Sequence, residues 1–364
     1  MTFAQRLGYV QAGLLAAGVD AALITPGADL RYLTGYDAKA LERLTCLVVR
    51  ASADPVLVVP ALEVLAAQAS PVKVLGIEIR SWQETEDPYA LTADLVGPAS
   101  IVALDDHMWA QKVLDLRAVM PAARQVLAGQ IIAPIRMRKD AEEIAALRRA
   151  GAAIDEVHAN VPGCLRPGRT EREVGAEIAN LIIAAGHVAV DFIIVASGPN
   201  AASPHHDVSD RVLEIGDPVV VDIGGTMPDG YRSDCTRTYN LGAPSAEYAS
   251  SYAILLQAQM AACTVVKPQV TCEQIDATAR EVLIGAGLGE LFIHRTGHGI
   301  GLESHEEPYI VSGNDLPLAA GMVFSVEPGF YLAGRYGARI EDIVVCTDSG
   351  YESLNHQPRD LVIV

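Results

Sequence analysis

The chain has 364 residues, half of them apolar and a fifth charged, with a formal net charge of −18 at pH 7. That length supports two domains with real cores. The acidic balance argues against nucleic acid, which needs a basic face, and against anionic membrane surfaces.

Leu7 to Ile24 follows Arg6 as a leader sequence would, but Gln11 and Asp20 interrupt it. Phe3, Leu7, Val10 and Leu14 keep helical spacing, so an amphipathic first helix is the better reading. No run is long and apolar enough to span a membrane. Ala21–Thr25 reads as a strand, Pro26-Gly27 as a turn, and Thr45–Arg50 with Pro55–Val59 as a hairpin. A helix over Ala61–Ala69, then Val72–Ile79, a strand at Ile101–Leu104 and a helix near Met108–Val119 complete an alternating α/β pattern. This part of the chain carries no ligand cluster. The boundary is expected near residue 130, giving an N-terminal α/β domain over 1–130 and a second domain over 131–364.

Asp140 with Glu143 forms a capping box for a long helix that Pro162-Gly163 should end, and Thr170 with Glu173 caps the next, closed by Gly186. Phe192–Ala196 is a strand that runs into a turn-rich loop with His205 and His206. A hairpin follows over Pro218–Tyr239, with Asp222 and Asp234 equally spaced about Pro228. In a symmetric hairpin they face each other, which asks for a metal, a shared proton or a basic partner. A helix over Glu247–Val266 and another capped by Thr271 with Gln274 come next. The order then nearly repeats: a loop with His294, His298 and His305, then a hairpin with Glu327 and Glu341 equally spaced about Gly334. The repetition suggests an internal duplication with four acids meeting at its centre.

Unpaired carboxylates inside apolar strands are costly. Four of them with one histidine make a mostly oxygen donor set, which suits Mn²⁺, and Co²⁺, Fe²⁺ or Zn²⁺ with less selectivity. Four carboxylates exceed the needs of one catalytic ion and suit two, about 3.5–4 Å apart. The six cysteines are scattered without a CxxC pair, as in a reduced cytoplasmic protein. Cys235, next to Asp234, should point to the opposite face of its strand.

The order Asp222, Asp234, His298, Glu327, Glu341, with the motifs Val-Asp-Ile-Gly-Gly, Tyr-Arg-Ser-Asp-Cys-Thr-Arg-Thr, His-Gly-Ile-Gly-Leu-Glu-Ser-His-Glu, Val-Glu-Pro-Gly and Arg-Ile-Glu-Asp, resembles the pita-bread metallopeptidases. The likeness covers roughly 131–364, and Arg31–Tyr36 resembles the amino-terminal domain of the Xaa-Pro branch and of creatinase. The resemblance implies an α+β pita-bread catalytic domain with pseudo-duplicated halves, behind a creatinase-like α/β domain that limits substrate access and makes dimer contacts. It implies a dinuclear metallopeptidase acting on Xaa-Pro dipeptides (prolidase), with an aminopeptidase P acting on longer Xaa-Pro-Yaa peptides as the alternative. A metal-free peptide-binding or protein-binding module is a further alternative. Asp222 would then hold one ion, His298 and Glu327 the other, and Asp234 and Glu341 would bridge. Glu327 would also shuttle a proton. His205 would steady the tetrahedral intermediate, His305 contact the substrate carbonyl or proline, and His294 bind substrate or support the ligands. Arg339, placed with the substrate-binding group, would steady the ligands by pairing with a carboxylate. Two departures bear on substrate length. Asp191 stands where family members often carry an aromatic residue. The insertion that carries a carboxylate-binding arginine in some prolidases is also absent, which leaves Arg335 in the short turn. The expected partner is a proline-containing peptide, and the expected assembly a homodimer.

Overall fold

A computed structural model describes residues 1–364. The chain divides into two compact units, Met1–Arg136 and Met137–Val364.

The first unit contains α1 (Phe3–Ala17), β1 (Ala21–Ile24), α2 (Ala28–Thr34), β2 (Cys46–Arg50), β3 (Val56–Pro60), α3 (Val64–Ala69) and β4 (Glu78–Trp82). It continues with α4 (Pro88–Val96), β5 (Ile101–Leu104), α5 (Ala110–Val119), β6 (Arg124–Leu127) and α6 (Gly129–Met137). Its strands form one mixed sheet in the order β4-β3-β2-β1-β5-β6. The first helix forms as its spacing predicts, with Leu7, Val10 and Leu14 buried and Gly18 ending it in the left-handed conformation. The boundary expected at 130 falls inside α6, which runs on through Pro134, and the units part at 136/137. Pro134 removes one helical hydrogen bond and leaves the others intact.

The second unit opens with α7 (Ala141–Cys164) and α8 (Glu171–Ala184). Both carry their capping boxes, Asp140 with Glu143 and Thr170 with Glu173. The helix expected to end at Pro162 runs to Cys164, because Val161 and Cys164 are buried and packing outweighs the lost bond. These helices cover a sheet made by β7 (Ala189–Ser197), β8 (Pro218–Thr226) and β9 (Arg232–Asn240). Ile154, Val161, Val174, Ile178, Val221 and Cys235 meet in that core.

The second half repeats the plan with α9 (Ala246–Val265) and α10 (Cys272–Gly285), then β10 (Gly297–Gly299), β11 (Glu306–Ile310), β12 (Val323–Val326) and β13 (Gly329–Leu332). It ends with β14 (Tyr336–Arg339), β15 (Asp342–Cys346), β16 (Tyr351–Ser353) and β17 (Val362–Ile363). Strands β11-β10-β12-β15-β16 form a second sheet, and β17 returns to pair with β9 in the first. Leu255, Ala262, Ile275, Leu283, Phe324 and Val344 fill the second core.

The two hairpins differ in register. In the second, Val326 pairs with Asp342 and Gly329 with Arg339, so Glu327 and Glu341 stand at matched positions as their spacing predicts. In the first, Asp222 pairs with Thr236 and Gly224 with Asp234. The expectation that the two aspartates face each other is therefore corrected: the turn centres on Asp229, one residue past Pro228. Met227 and Tyr231 pair across a three-residue loop whose last residue, Gly230, has φ 91°. The aspartates remain on one face, as diagonal neighbours.

Close approach fixes one glycine beside the histidines. A Cβ on Gly297 would lie 1.9 Å from the Ser325 carbonyl oxygen of the neighbouring strand. We expect Gly297→Ala to force β10 and β12 apart and destabilise the protein by about 1–3 kcal/mol. Gly163→Ala, where a Cβ meets nothing within 4 Å, should be neutral or stabilising. Thermal unfolding of the two variants checks the pair.

Candidate metal centre

Strand alternation puts Asp222 and Asp234 on the face of β8-β9 opposite Cys235, which is wholly buried in the core beneath. His298 comes from β10, at a point where the pairing with β11 shifts register. Glu327 and Glu341 occupy a break in the second hairpin, between β12 and β13 and between β14 and β15. Pro328 has no N–H to continue the ladder there. The freed backbone turns to other strands: the Glu327 N–H donates to Thr296 O at 2.8 Å, and the Glu341 N–H to Thr236 O at 3.2 Å. The second of these bonds joins the two sheets.

All five side chains line one cavity of about 810 Å³. Asp234, His298 and Glu341 each offer a ligand atom, all within 4.8 Å of one another. His298 Nε2 is 3.8 Å from Asp234 Oδ2 and 3.2 Å from Glu327 Oε1. Its Nδ1 faces Gly299 O at 3.1 Å, which assigns the proton to Nδ1 and directs Nε2 into the cavity. Ser325 Oγ accepts from the His298 N–H and donates to Glu327 Oε1, at 3.0 and 3.1 Å.

Two of the acids are held by one oxygen each. Arg339 Nη2 donates to Asp222 Oδ2 at 2.5 Å, and Thr236 Oγ1 to Glu341 Oε2 at 2.8 Å. The other oxygens, Asp222 Oδ1 and Glu341 Oε1, are buried without a partner. Such oxygens are expensive unless something positive meets them. With the neighbouring carboxylates and an imidazole nitrogen, they fit a hard divalent cation at ordinary ligand distances of about 2.0–2.2 Å.

Burial raises the Asp234 carboxyl well above its ordinary range, and the charges of Asp222 and Glu327 add to this. Burial and the charge of Asp234 do the same to Glu341. Burial also works against the ionised Glu327, but hydrogen bonding to and charge from His298 outweigh it and hold that carboxyl at about 2.

The histidines take different places. His305 lies beside His298, with ring centroids 3.9 Å apart, and burial and the His298 charge lower it to about 4. His294 is tied by Nδ1 to Arg295 O at 2.7 Å and by Nε2 to the Tyr331 hydroxyl at 2.8 Å. Tyr331 also accepts from Arg339 Nη1 at 2.7 Å, which links His294 to the guanidinium on Asp222. His205 and His206 both line the cavity, and His206 donates to Glu171 at 2.8 Å. Asp191 sits at a bulge in β7 and pairs with Arg232 at the cavity wall. Arg335 reaches Glu247 at 3.1 Å and does not line the cavity. Arg295 does line it, and the sequence reading passed over it. Its position between His294 and Thr296, next to the His-Gly run, was the available signal.

Comparison with known proteins agrees with this geometry. Residues 145–348 match the model of metallopeptidase family M24, and residues 6–138 that of the Creatinase/Prolidase N-terminal domain. The chain belongs to metallopeptidase family M24. It is 51% identical to the probable dipeptidase PepE of Mycobacterium tuberculosis, over 100% of this chain and 96% of the relative. It is 37% identical to the Xaa-Pro dipeptidase of Lactobacillus helveticus, over 98% of each. The prolidase structure from Thermococcus sibiricus superposes with a TM-score of 0.94 at 35% identity, covering all of both chains. The M24 chain is therefore a metal-dependent peptidase with a pita-bread catalytic domain behind a creatinase-type amino-terminal domain, and the binding-module alternative falls away.

The crowded acids set a pH dependence. Asp234 and Glu341 have folded pKa values above their unfolded ones, so protonation favours the fold. Their contribution is fully present below the ordinary carboxylate range and is lost as pH rises through the raised values. Metal-free protein should thus gain stability from these two groups on acidification, whereas metal-loaded protein should lose it as protons compete for the ligands. Thermal unfolding of chelated and loaded protein across the acidic range reads both signs.

Proposed function

We propose that this M24 enzyme is an Xaa-Pro dipeptidase that works with two divalent ions, Mn²⁺ first and Co²⁺ or Zn²⁺ otherwise. The observation that carries the reading is the pair of orphaned buried oxygens, Asp222 Oδ1 and Glu341 Oε1, in a cavity shared with Asp234, His298 and Glu327. Asp222, Asp234, His298, Glu327 and Glu341 would hold these ions. When bound, the ions supply Lewis acidity and lower the pKa of water toward neutrality.

The remaining work falls to the protein. Glu327, 3.2 Å from His298 Nε2, accepts a proton from the attacking water and returns it to the leaving proline nitrogen. His205 steadies the negative charge of the tetrahedral transition state. His305 is held neutral by its low pKa of about 4 and contacts the substrate carbonyl or the proline ring. His294 shapes the substrate side of the cavity from its bond to Tyr331. Arg339 holds Asp222 and so orients that carboxylate before any ligand arrives.

Substrate length turns on a carboxylate receptor. The guanidinium of Arg295 lies 4.3 Å from the Tyr309 ring, lines the cavity and is paired with no carboxylate. A cation so placed suits the terminal carboxylate of a dipeptide. The alternative, an aminopeptidase P acting on Xaa-Pro-Yaa, would place that carboxylate farther out. We expect Ala-Pro to be cleaved at least about tenfold faster than Ala-Pro-Ala, and Arg295→Gln to raise KM for Ala-Pro about tenfold, as loss of a charged hydrogen bond does. Chelation should stop both reactions. Faster cleavage of the tripeptide would favour the alternative.

All six cysteines are free and buried, which supports a reducing, cytoplasmic setting. We place the amino-terminal unit at substrate access and at a homodimer contact. Sedimentation velocity should give twice the 38.6 kDa chain mass.

A further inference from the structure

Glu171 is a buried carboxylate outside the metal ligands. It is the first residue of α8, directly after the capping Thr170, and it is 0% exposed. A helix start favours a negative charge but does not explain burying one completely. Its hydrogen bonds do. Oε1 accepts from the Ser197 N–H at 2.8 Å, from Ser197 Oγ at 2.7 Å and from Asn200 Nδ2 at 3.0 Å. Oε2 accepts from His206 Nε2 at 2.8 Å, from the Ser209 N–H at 3.2 Å and from Ser209 Oγ at 2.5 Å.

These donors come from both ends and the middle of the segment 197–209, which leaves β7 and crosses the rim of the metal cavity. Arg211 ties the same segment from behind, donating to Ser197 Oγ at 2.6 Å and to Asp217 at 2.6 Å. The adjacent histidines divide the work. His206 borders the metal cavity but its Nε2 is committed to Glu171, whereas its neighbour His205 lines the same cavity and makes no protein hydrogen bond. His205 is the last residue of a turn and directly precedes His206, so anchoring His206 holds the backbone that carries the His205 ring.

We propose that Glu171 is a positioning residue for the peptidase reaction, clasping the segment 197–209 through Ser197, Asn200, His206 and Ser209 so that His205 is presented to the metal cavity. The inference rests on the role given above to His205. Glutamine at 171 keeps the shape but turns one acceptor into a donor facing the donors of His206 and Ser209. The segment then loses its anchor while the metal ligands stay untouched.

The test uses the full-length, Mn²⁺-loaded protein with Ala-Pro as substrate. Glu171→Gln should lower kcat by about tenfold or more at unchanged metal content, and His205→Ala should lower it comparably; in the His205→Ala background Glu171→Gln should change kcat less than about twofold, because groups acting as one unit are not additive. His206→Ala removes one link of the clasp from a partly exposed side chain, and it carries the same comparison if Glu171→Gln does not fold. A damaged scaffold would instead multiply the two losses, and that result overturns the proposal. So does full activity of Glu171→Gln beside an impaired His205→Ala. Full activity of His205→Ala overturns the role of His205 itself, and the proposal with it.

Discussion

Electrostatic repulsion among buried acids is the constraint on which the catalytic unit depends. Four carboxylates and an imidazole share one cavity, and burial, reinforced by the charges of the other acids, pushes Asp234 and Glu341 toward the protonated form. A protein would not gather such groups for stability alone, since uncompensated charge in a low-dielectric interior is costly. Arg339 offsets part of it at Asp222. The orphaned oxygens mark the remainder, which divalent cations neutralise.

The fold meets this constraint by using its plan twice. Each half lays two helices over a sheet and sends an acidic hairpin to the centre. The two large apolar cores lie beneath the helices, and the opposite faces carry the acids, beside a small apolar cluster of Ile194, Ala196, Ala201 and Val220. The Glu341 N–H on Thr236 O and the Thr236 hydroxyl on the Glu341 carboxylate join the halves at the ligands themselves. Arg237 adds bonds to Glu341 O at 2.6 Å and Asp342 Oδ1 at 2.7 Å. The ligands are therefore placed by backbone and buried hydrogen bonds more than by flexible loops, which suits a preorganised site.

Much of this was legible in the sequence because period-two alternation and matched spacing report directly on strand faces. Glu327 and Glu341 fell opposite each other because the second hairpin is regular on both sides of its break. Asp222 and Asp234 are offset because the three-residue loop spans 228–230, with Gly230 in the left-handed conformation, one residue later than a turn centred on Pro228, a choice that spacing alone does not reveal. Pro162 looks like a helix end, yet packing carries that helix past it. The roles of Arg295 and Glu171 were not legible, although Arg295 stands next to the His-Gly run. A guanidinium without a partner and a carboxylate with too many are properties of the folded surroundings, and neither belongs to a local pattern.

The interruption of the second hairpin at Pro328 has an evolutionary consequence. Register is fixed on the cavity side of the gap by β12 and β15, and only Tyr331 and Arg339 of the outer strands β13 and β14 reach back to Asp222 and His294. The tip of the hairpin, the turn at 333–335 beyond those two residues, lines no part of the cavity. Related chains can lengthen, shorten or recharge that tip and so redraw the rim that meets the substrate, at the modest entropic cost of a longer loop. The ion-binding geometry can stay constant while the clientele diversifies.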